Sequence, residues 1–258
     1  MWARLNNDNE IAQLYTRPIA VTLDAVQYPA SIFSLWTAIE LSTQLNIWSV
    51  SMTNSQGNQE WNNVSDPAYV VTKDGDDNVS GVTGTYTNTE KPLKDVYAIS
   101  VADSDGFSDG DKVASSATYS SAAKQGTIIS KGANVLNVEI TKGTWASGNT
   151  VRGFNSGGTA LSPAVSTTIS ADLTLHSRGR QWDVTQQVKQ RQGSKLQPHD
   201  WYYIRKADNA DAVPSAVQTY RDGVRTKADS LETAIAATTT ITELQAVDLD
   251  DGWPDELS

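Results

Sequence analysis

His176 and His199 are the only imidazoles in the chain, and there is no cysteine. Acyl transfer needs a nucleophile held within hydrogen-bond reach of a base. Neither histidine accompanies a GxSxG elbow, and no P-loop, GxGxxG or HExxH occurs. His199, beside Pro198, reads as a surface turn residue. Carboxylates are plentiful: Asp103, Asp105, Asp109 and Asp111 crowd one loop, and Asp74, Asp76 and Asp77 another. Such oxygens suit hard cations. The first run departs from an EF-hand loop, because Phe107 occupies the third ligand position and no Glu closes it, so both runs read as solvated acidic turns. Glycoside hydrolysis needs two carboxyls about 5 to 9 Å apart in a sugar cleft, and nothing marks such a pair. Trp61 and Trp145 have rings that stack on sugars, but Trp145 reads better as a core residue at a strand end. The expectation is a non-enzymatic chain with no catalytic residue, cofactor or metal.

The elements that would position these groups come from a chain of 258 residues with formal charge −10 and 38% apolar residues. That length suits one large or two medium domains, with modest cores helped by eight Trp and nine Tyr. An acidic surface without a Lys/Arg cluster repels phosphate backbones, so no nucleic-acid partner is expected. No apolar run approaches the roughly 20 residues that span a bilayer, so no membrane insertion is expected. Met1 to Asp8 lacks a basic region followed by an apolar run, so no signal peptide is expected and synthesis is assigned to a cytoplasm.

Along the chain, Trp2–Leu5 and Ile11–Tyr15 flank Asn6-Asn7-Asp8-Asn9 and predict a hairpin. Residues 31–44 carry Ile32, Leu35, Trp36 and Ile39 at helical spacing after Pro29, with Ser31 as N-cap. A strand around Ile47 and Val50 follows. Residues 107–113 (FSDGDKV) and 145–151 (WASGNTV) form a quasi-repeat, aromatic-x-x-Gly-Asp/Asn-x-Val. Its Gly step suits positive φ, and its Val starts a strand. Gly126–Ser130 and Val135–Thr141 alternate around Lys131–Asn134 and predict a second hairpin. Leu173, Leu175, Trp182–Val184 and Asp200–Arg205 read as strands, the last with Trp201, Tyr203 and Arg205 on one face. From Pro214 the pattern turns helical: Val217, Tyr220, Arg221, Val224, Ala228, Leu231 and Ile235 recur near 3.5 spacing. Helices are expected over 214–237 and 240–247, the second opened by a Thr240/Glu243 capping box. An acidic end, residues 248–258, carries Trp253.

Two segments bear a resemblance. Gln27-Tyr28-Pro29-Ala30-Ser31-Ile32-Phe33-Ser34-Leu35-Trp36 with Glu40-Leu41 resembles the opening of small tail-fibre-associated and virion proteins of tailed phages. Residues 198–244 resemble the end of the same family, whose pattern is P-x-D-W-Y-x-I-R-K, an acidic gap, a Pro, then Y-R-x-x-V-R. Pro198, Asp200, Trp201, Arg205, Lys206, Pro214, Tyr220, Arg221, Val224 and Arg225 match it. The segments cover about a third of the chain and carry no catalytic residue. The middle repeat is similar to β-modules of phage tail and baseplate proteins.

The resulting expectation is an α+β, mainly β fold. Residues 1–96 plus 170–258 form a tail-associated domain with a small N-terminal strand–helix unit and C-terminal helices. Residues 97–169 form an inserted antiparallel β barrel or sandwich. The resemblance implies a structural component of the virion tail, baseplate or fibre attachment, in several copies, docking to other tail proteins. The docking interface is assigned to Val217, Tyr220, Arg221, Val224, Leu231, Ile235 and Trp253. A tail-fibre assembly chaperone and a module binding a host-surface glycan are the alternatives.

Overall fold

In the computed structural model, which describes residues 1–256, β1 (Trp2–Leu5) and β2 (Ile11–Tyr15) pair as the expected hairpin. The Asn6 side chain closes it by accepting from the backbone N–H of Asp8 (3.0 Å) and Glu10 (2.8 Å). A second tight hairpin joins β3 (Val21–Leu23) and β4 (Val26–Tyr28) through Asp24 and Ala25, both at positive φ.

The helical stripe expected over 31–44 is two helices, α1 (Ile32–Leu35) and α2 (Ala38–Leu45). Ser31 makes no side-chain cap bond. The break has a local cause. Thr37 Oγ1 accepts from the Glu40 N–H (3.2 Å), while Glu40 Oε2 accepts from the Thr37 N–H (2.7 Å). This capping box starts a new helix and pulls Trp36 and Thr37 into extended backbone. The apolar stripe is cut in consequence. Ile32, Phe33, Leu41 and Leu45 are buried, while Leu35 and Ile39 are 77% and 74% exposed. The bonds to Thr37 hold the Glu40 carboxyl below its ordinary value. A carboxyl whose folded pKa is lowered adds stability above its unfolded pKa, and loses it as pH falls through the folded value. Thr37→Ala removes the side-chain acceptor that caps α2 and is expected to cost about 1 kcal/mol at neutral pH. Only the part carried by the Thr37 Oγ1 bond to Glu40 Oε2 should fade as the carboxyl protonates in acid; the larger bond, from the Thr37 N–H, survives in the variant. Chemical denaturation at two pH values measures both.

After α2, β5 (Ile47–Met52) pairs antiparallel with β1; its remaining neighbours come from later in the chain. The short β6 (Asn62–Val64) precedes β7 (Ala68–Lys73), β8 (Val79–Thr85) and β9 (Asn88–Glu90). The main sheet runs β2-β1-β5-β8-β7, with β5 and β8 parallel, and β6 pairs with β9. This compact unit spans Met1–Glu90.

The second compact unit is Lys91–Ser258. Its strands are β10 (Val96–Ser100), β11 (Lys112–Ala114), β12 (Gln125–Gly132), β13 (Val135–Lys142), β14 (Thr150–Phe154), β15 (Ser166–Thr168) and β16 (Thr174–Ser177). They form one antiparallel sheet ordered β15-β14-β11-β12-β13-β10-β16. The sheet curls until a bridge between Val101 and Ile169 joins the chain beyond β10 to the chain beyond β15. The Ser170 N–H donates to Ser100 O (2.8 Å) and the Ala102 N–H to Thr168 O (3.2 Å), completing a small barrel. Closure covers the edge at β15, while β16, paired only with β10, remains an exposed edge strand.

The quasi-repeat builds two ends of this barrel in the same way. Gly110 and Gly148 have φ of 86° and 82°. Asp111 Oδ2 accepts from the Ser108 N–H, and Asn149 Oδ1 from the Ala146 N–H. The Gly110 N–H donates to Ile128 O, as the Gly148 N–H does to Ile169 O. Each turn thereby drops an aromatic, Phe107 or Trp145, into one shared core with Val113, Val151, Ile128 and Leu136.

The chain then becomes helical: α3 (Arg180–Leu196), one 3₁₀ turn (Gln197–His199), α4 (Asp200–Asn209), α5 (Ser215–Ala237) and α6 (Ile241–Gln245). Two expected strands are thus corrected. Trp182–Val184 lies in α3, whose first N–H groups are satisfied by the chain before β10: Arg180 donates to Pro92 O and Gln181 to Leu93 O. Asp200–Arg205 lies in α4, where Asp200 occupies the first turn, a favourable end for negative charge. The division into 1–96 plus 170–258 around an insertion is replaced by the two units above. The barrel and the helices belong to one unit because segment 91–95 anchors the start of α3. At α6, Thr240 caps as expected, accepting from the Glu243 N–H, but Glu243 Oε2 accepts from the Thr239 N–H (2.6 Å) rather than from Thr240.

Candidate functional site

The residues singled out for chemistry serve the turns. Asp74 Oδ1 accepts from the N–H of Asp76 and Asn78, which lowers its pKa. Asp103 Oδ1 accepts from the Asp105 N–H. Among the described residues, no group of three or more His, Asp or Glu side chains is placed to hold a metal ion. His176 is exposed on β16, and His199 packs its ring 5.0 Å from that of Tyr220. Trp145 is a core residue. Among the described residues, no helix is long and apolar enough to cross a membrane.

The expected docking seam on α5 is internal. Val217, Tyr220, Arg221, Val224, Leu231 and Ile235 are all at most 7% exposed. α3 presents buried Val184 and Val188 and runs beside α5 in the opposite direction. At one end Gln181 Nε2 donates to Ile235 O (2.8 Å); at the other Arg221 Nη1 donates to Leu196 O (2.8 Å). An apolar stripe is needed to hold a helix on its own unit, and this stripe is used up there. Trp253 is also engaged. It is half-buried, its Nε1 donates to Leu249 O (2.9 Å), and Lys195 Nζ sits 5.9 Å from its ring centre. Arg191 bonds Leu249 O and Asp250, further fastening the acidic end. Leu257 and Ser258, the last of that end, lie outside the described residues.

Among the helices of the second unit, α4 is the one left uncovered. It contains no buried residue. Trp201, Tyr203 and Ile204 are 47%, 37% and 69% exposed. Trp201 and Tyr202 stack at 3.8 Å, and the Arg205 guanidinium lies 5.2 Å from the Trp201 ring centre. A helix of ten residues is marginal in water without a packed face. What holds α4 is Arg221, whose side chain is 8% exposed. Its Nη1 donates to Asp200 Oδ1 (2.7 Å), and its guanidinium lies 4.7 Å from the Tyr203 ring centre. Arg221 is therefore a bracket inside the unit, and the aromatics it fixes face water.

Sequence reasoning missed α4 because it read DWYYIR as a strand, with Trp201, Tyr203 and Arg205 alternating onto one face. Spacing supported the alternative, since Trp201 and Ile204 stand three apart. The fold and site define a two-unit α+β chain, mainly β, with a closed barrel and a helix pair that displays a short aromatic helix. Compared with known proteins, the chain matches no family model, no curated protein and no solved structure.

Proposed function

We propose that this chain is a non-catalytic structural component of a tailed-phage virion, docking to other tail proteins through α4. The observation that carries the reading is the exposed pair Trp201 and Ile204, three apart on one face of a helix with no buried residue. Aromatic and Arg side chains are the groups that anchor protein interfaces. The resemblance to phage tail-associated proteins supports it. Pro198, Asp200, Trp201, Arg205 and Lys206 of that motif lie on α4 or just before it, and Tyr220, Arg221, Val224 and Arg225 lie on the helix that holds it. Docking of several copies within a symmetric tail fits the same reading.

Mass spectrometry of purified particles tests it. The 258-residue product is expected in mature virions. Abundance in the lysate with absence from particles would instead identify an assembly chaperone. Trp201→Glu with Ile204→Glu is expected to fold, because both side chains already face water, and to drop out of particles. Normal incorporation of that double variant would show that α4 is not the dock.

A further inference from the structure

A cleft of about 560 Å³ opens within the second unit, where the barrel meets α3 and α5. It is independent of the α4 surface. Its volume falls in the roughly 300–1,000 Å³ range of small-ligand sites. Three aromatics line it: Tyr97 from β10, Trp145 from the second repeat turn and Trp182 from α3. Polar groups stand among them. Asp95 is held by Arg178 Nη1 (2.6 Å) and the Gly179 N–H (2.9 Å), so its carboxylate is fixed in place. Gln181 is fixed through Nε2, within 3.0 Å of Ile235 O, Thr238 O and Thr238 Oγ1, which leaves its Oε1 as an acceptor.

Two details point to a ligand. Trp182 is 41% exposed although it belongs to the helix that closes this side of the barrel, and the Arg178 guanidinium lies 5.2 Å from its ring centre. Trp145 is 4% exposed, yet its indole Nε1–H has no hydrogen-bond partner. A buried donor left unmade carries a cost of about 1–3 kcal/mol, and indole N–H groups usually find an acceptor when buried.

We propose that this cleft binds a neutral oligosaccharide. The C–H face of a pyranose ring is weakly positive and stacks on the negative face of an aromatic ring, the role given to Trp182 and Tyr97. Ring hydroxyls both donate and accept, matching fixed Asp95 and Gln181 as acceptors and Trp145 Nε1 as a donor. A purely apolar ligand would leave Asp95 and Gln181 desolvated without partners. A nucleotide would bring its phosphates to the Asp95 carboxylate, with Lys94 the one cation among the described lining residues and that one bonded to Thr141 O (3.3 Å).

The test titrates the full chain with chitotriose, maltotriose and cellotriose, following tryptophan emission and saturation-transfer NMR. At least one is expected to bind in the millimolar range. Trp182→Ala should weaken binding roughly tenfold or more, the size of one aromatic stacking contact. Thr144→Arg, at an exposed position on the rim, should block the cleft without touching the core. No binding of any of the three at tens of millimolar overturns the proposal. Binding that survives both substitutions overturns it equally, because the sugar would then sit elsewhere.

Discussion

Arg221→Leu is expected to release α4 while leaving the barrel intact. The guanidinium is buried between α3, α4 and α5, and one nitrogen serves both Leu196 O and Asp200 Oδ1. A leucine keeps some apolar volume in the seam but removes both bonds and leaves the last carbonyl of α3 without its donor. Such a loss costs about 2–4 kcal/mol. Most of that falls on the interface of α4 with α5, because α4 has no buried side chain of its own to fall back on. Three readouts should move together: faster amide exchange over residues 200–209, a red shift in Trp201 emission, and loss of the chain from particles. Asp200→Asn should do less, because Asp200 is 55% exposed and water replaces part of the contact. Unchanged exchange over α4 in Arg221→Leu would mean that the helix is held by something other than this bracket.

That experiment also separates what was legible in the sequence from what was not. The apolar residues of α5 were visible at their spacing, and every one of them is buried. Their partner was not visible, because Trp182–Val184 reads as a short strand and the polar residues after it show no helical stripe. Periodicity shows that a face is covered, not by what. Arg221 shows the same limit. On a stripe it reads as a contact residue, yet its job depends on Asp200 and Leu196, 21 and 25 positions away. The repeat turns were readable because their chemistry is local. A Gly at positive φ and an Asp or Asn accepting from a nearby N–H sit within four residues. The Val101–Ile169 closure joins residues 68 apart and left no local trace. The break between α1 and α2 has an equally local cause: Thr37-x-x-Glu40 is a capping box in the middle of an apolar stripe, and the cap wins over the period.

Gly179→Ala should be the most destabilising single methyl group that can be added at the junction of barrel and helices. Gly179 has φ −89°, so alanine meets no backbone strain there. The obstacle is space. A Cβ would collide with the Lys94 carbonyl group and stand 2.6 Å from Leu93 O, all backbone atoms that no rotamer change can move. The same segment accepts the first N–H groups of α3, and Asp95 accepts the Gly179 N–H itself. Pushing residues 93–95 away therefore strips several bonds at once and shifts the chain entering β10, whose Val96 is fully buried. Overpacking against a fixed backbone costs about 1–3 kcal/mol, and the lost bonds about 1 kcal/mol each. A total near 3–4 kcal/mol is expected, read as a drop in denaturation midpoint. Gly193→Ala is the control: it lies within α3 with nothing within 4 Å of its added methyl, and should stabilise by a few tenths to about 1 kcal/mol. Equal stability of the two variants would show that segment 91–95 does not clamp the start of α3, and that barrel and helices fold without that joint.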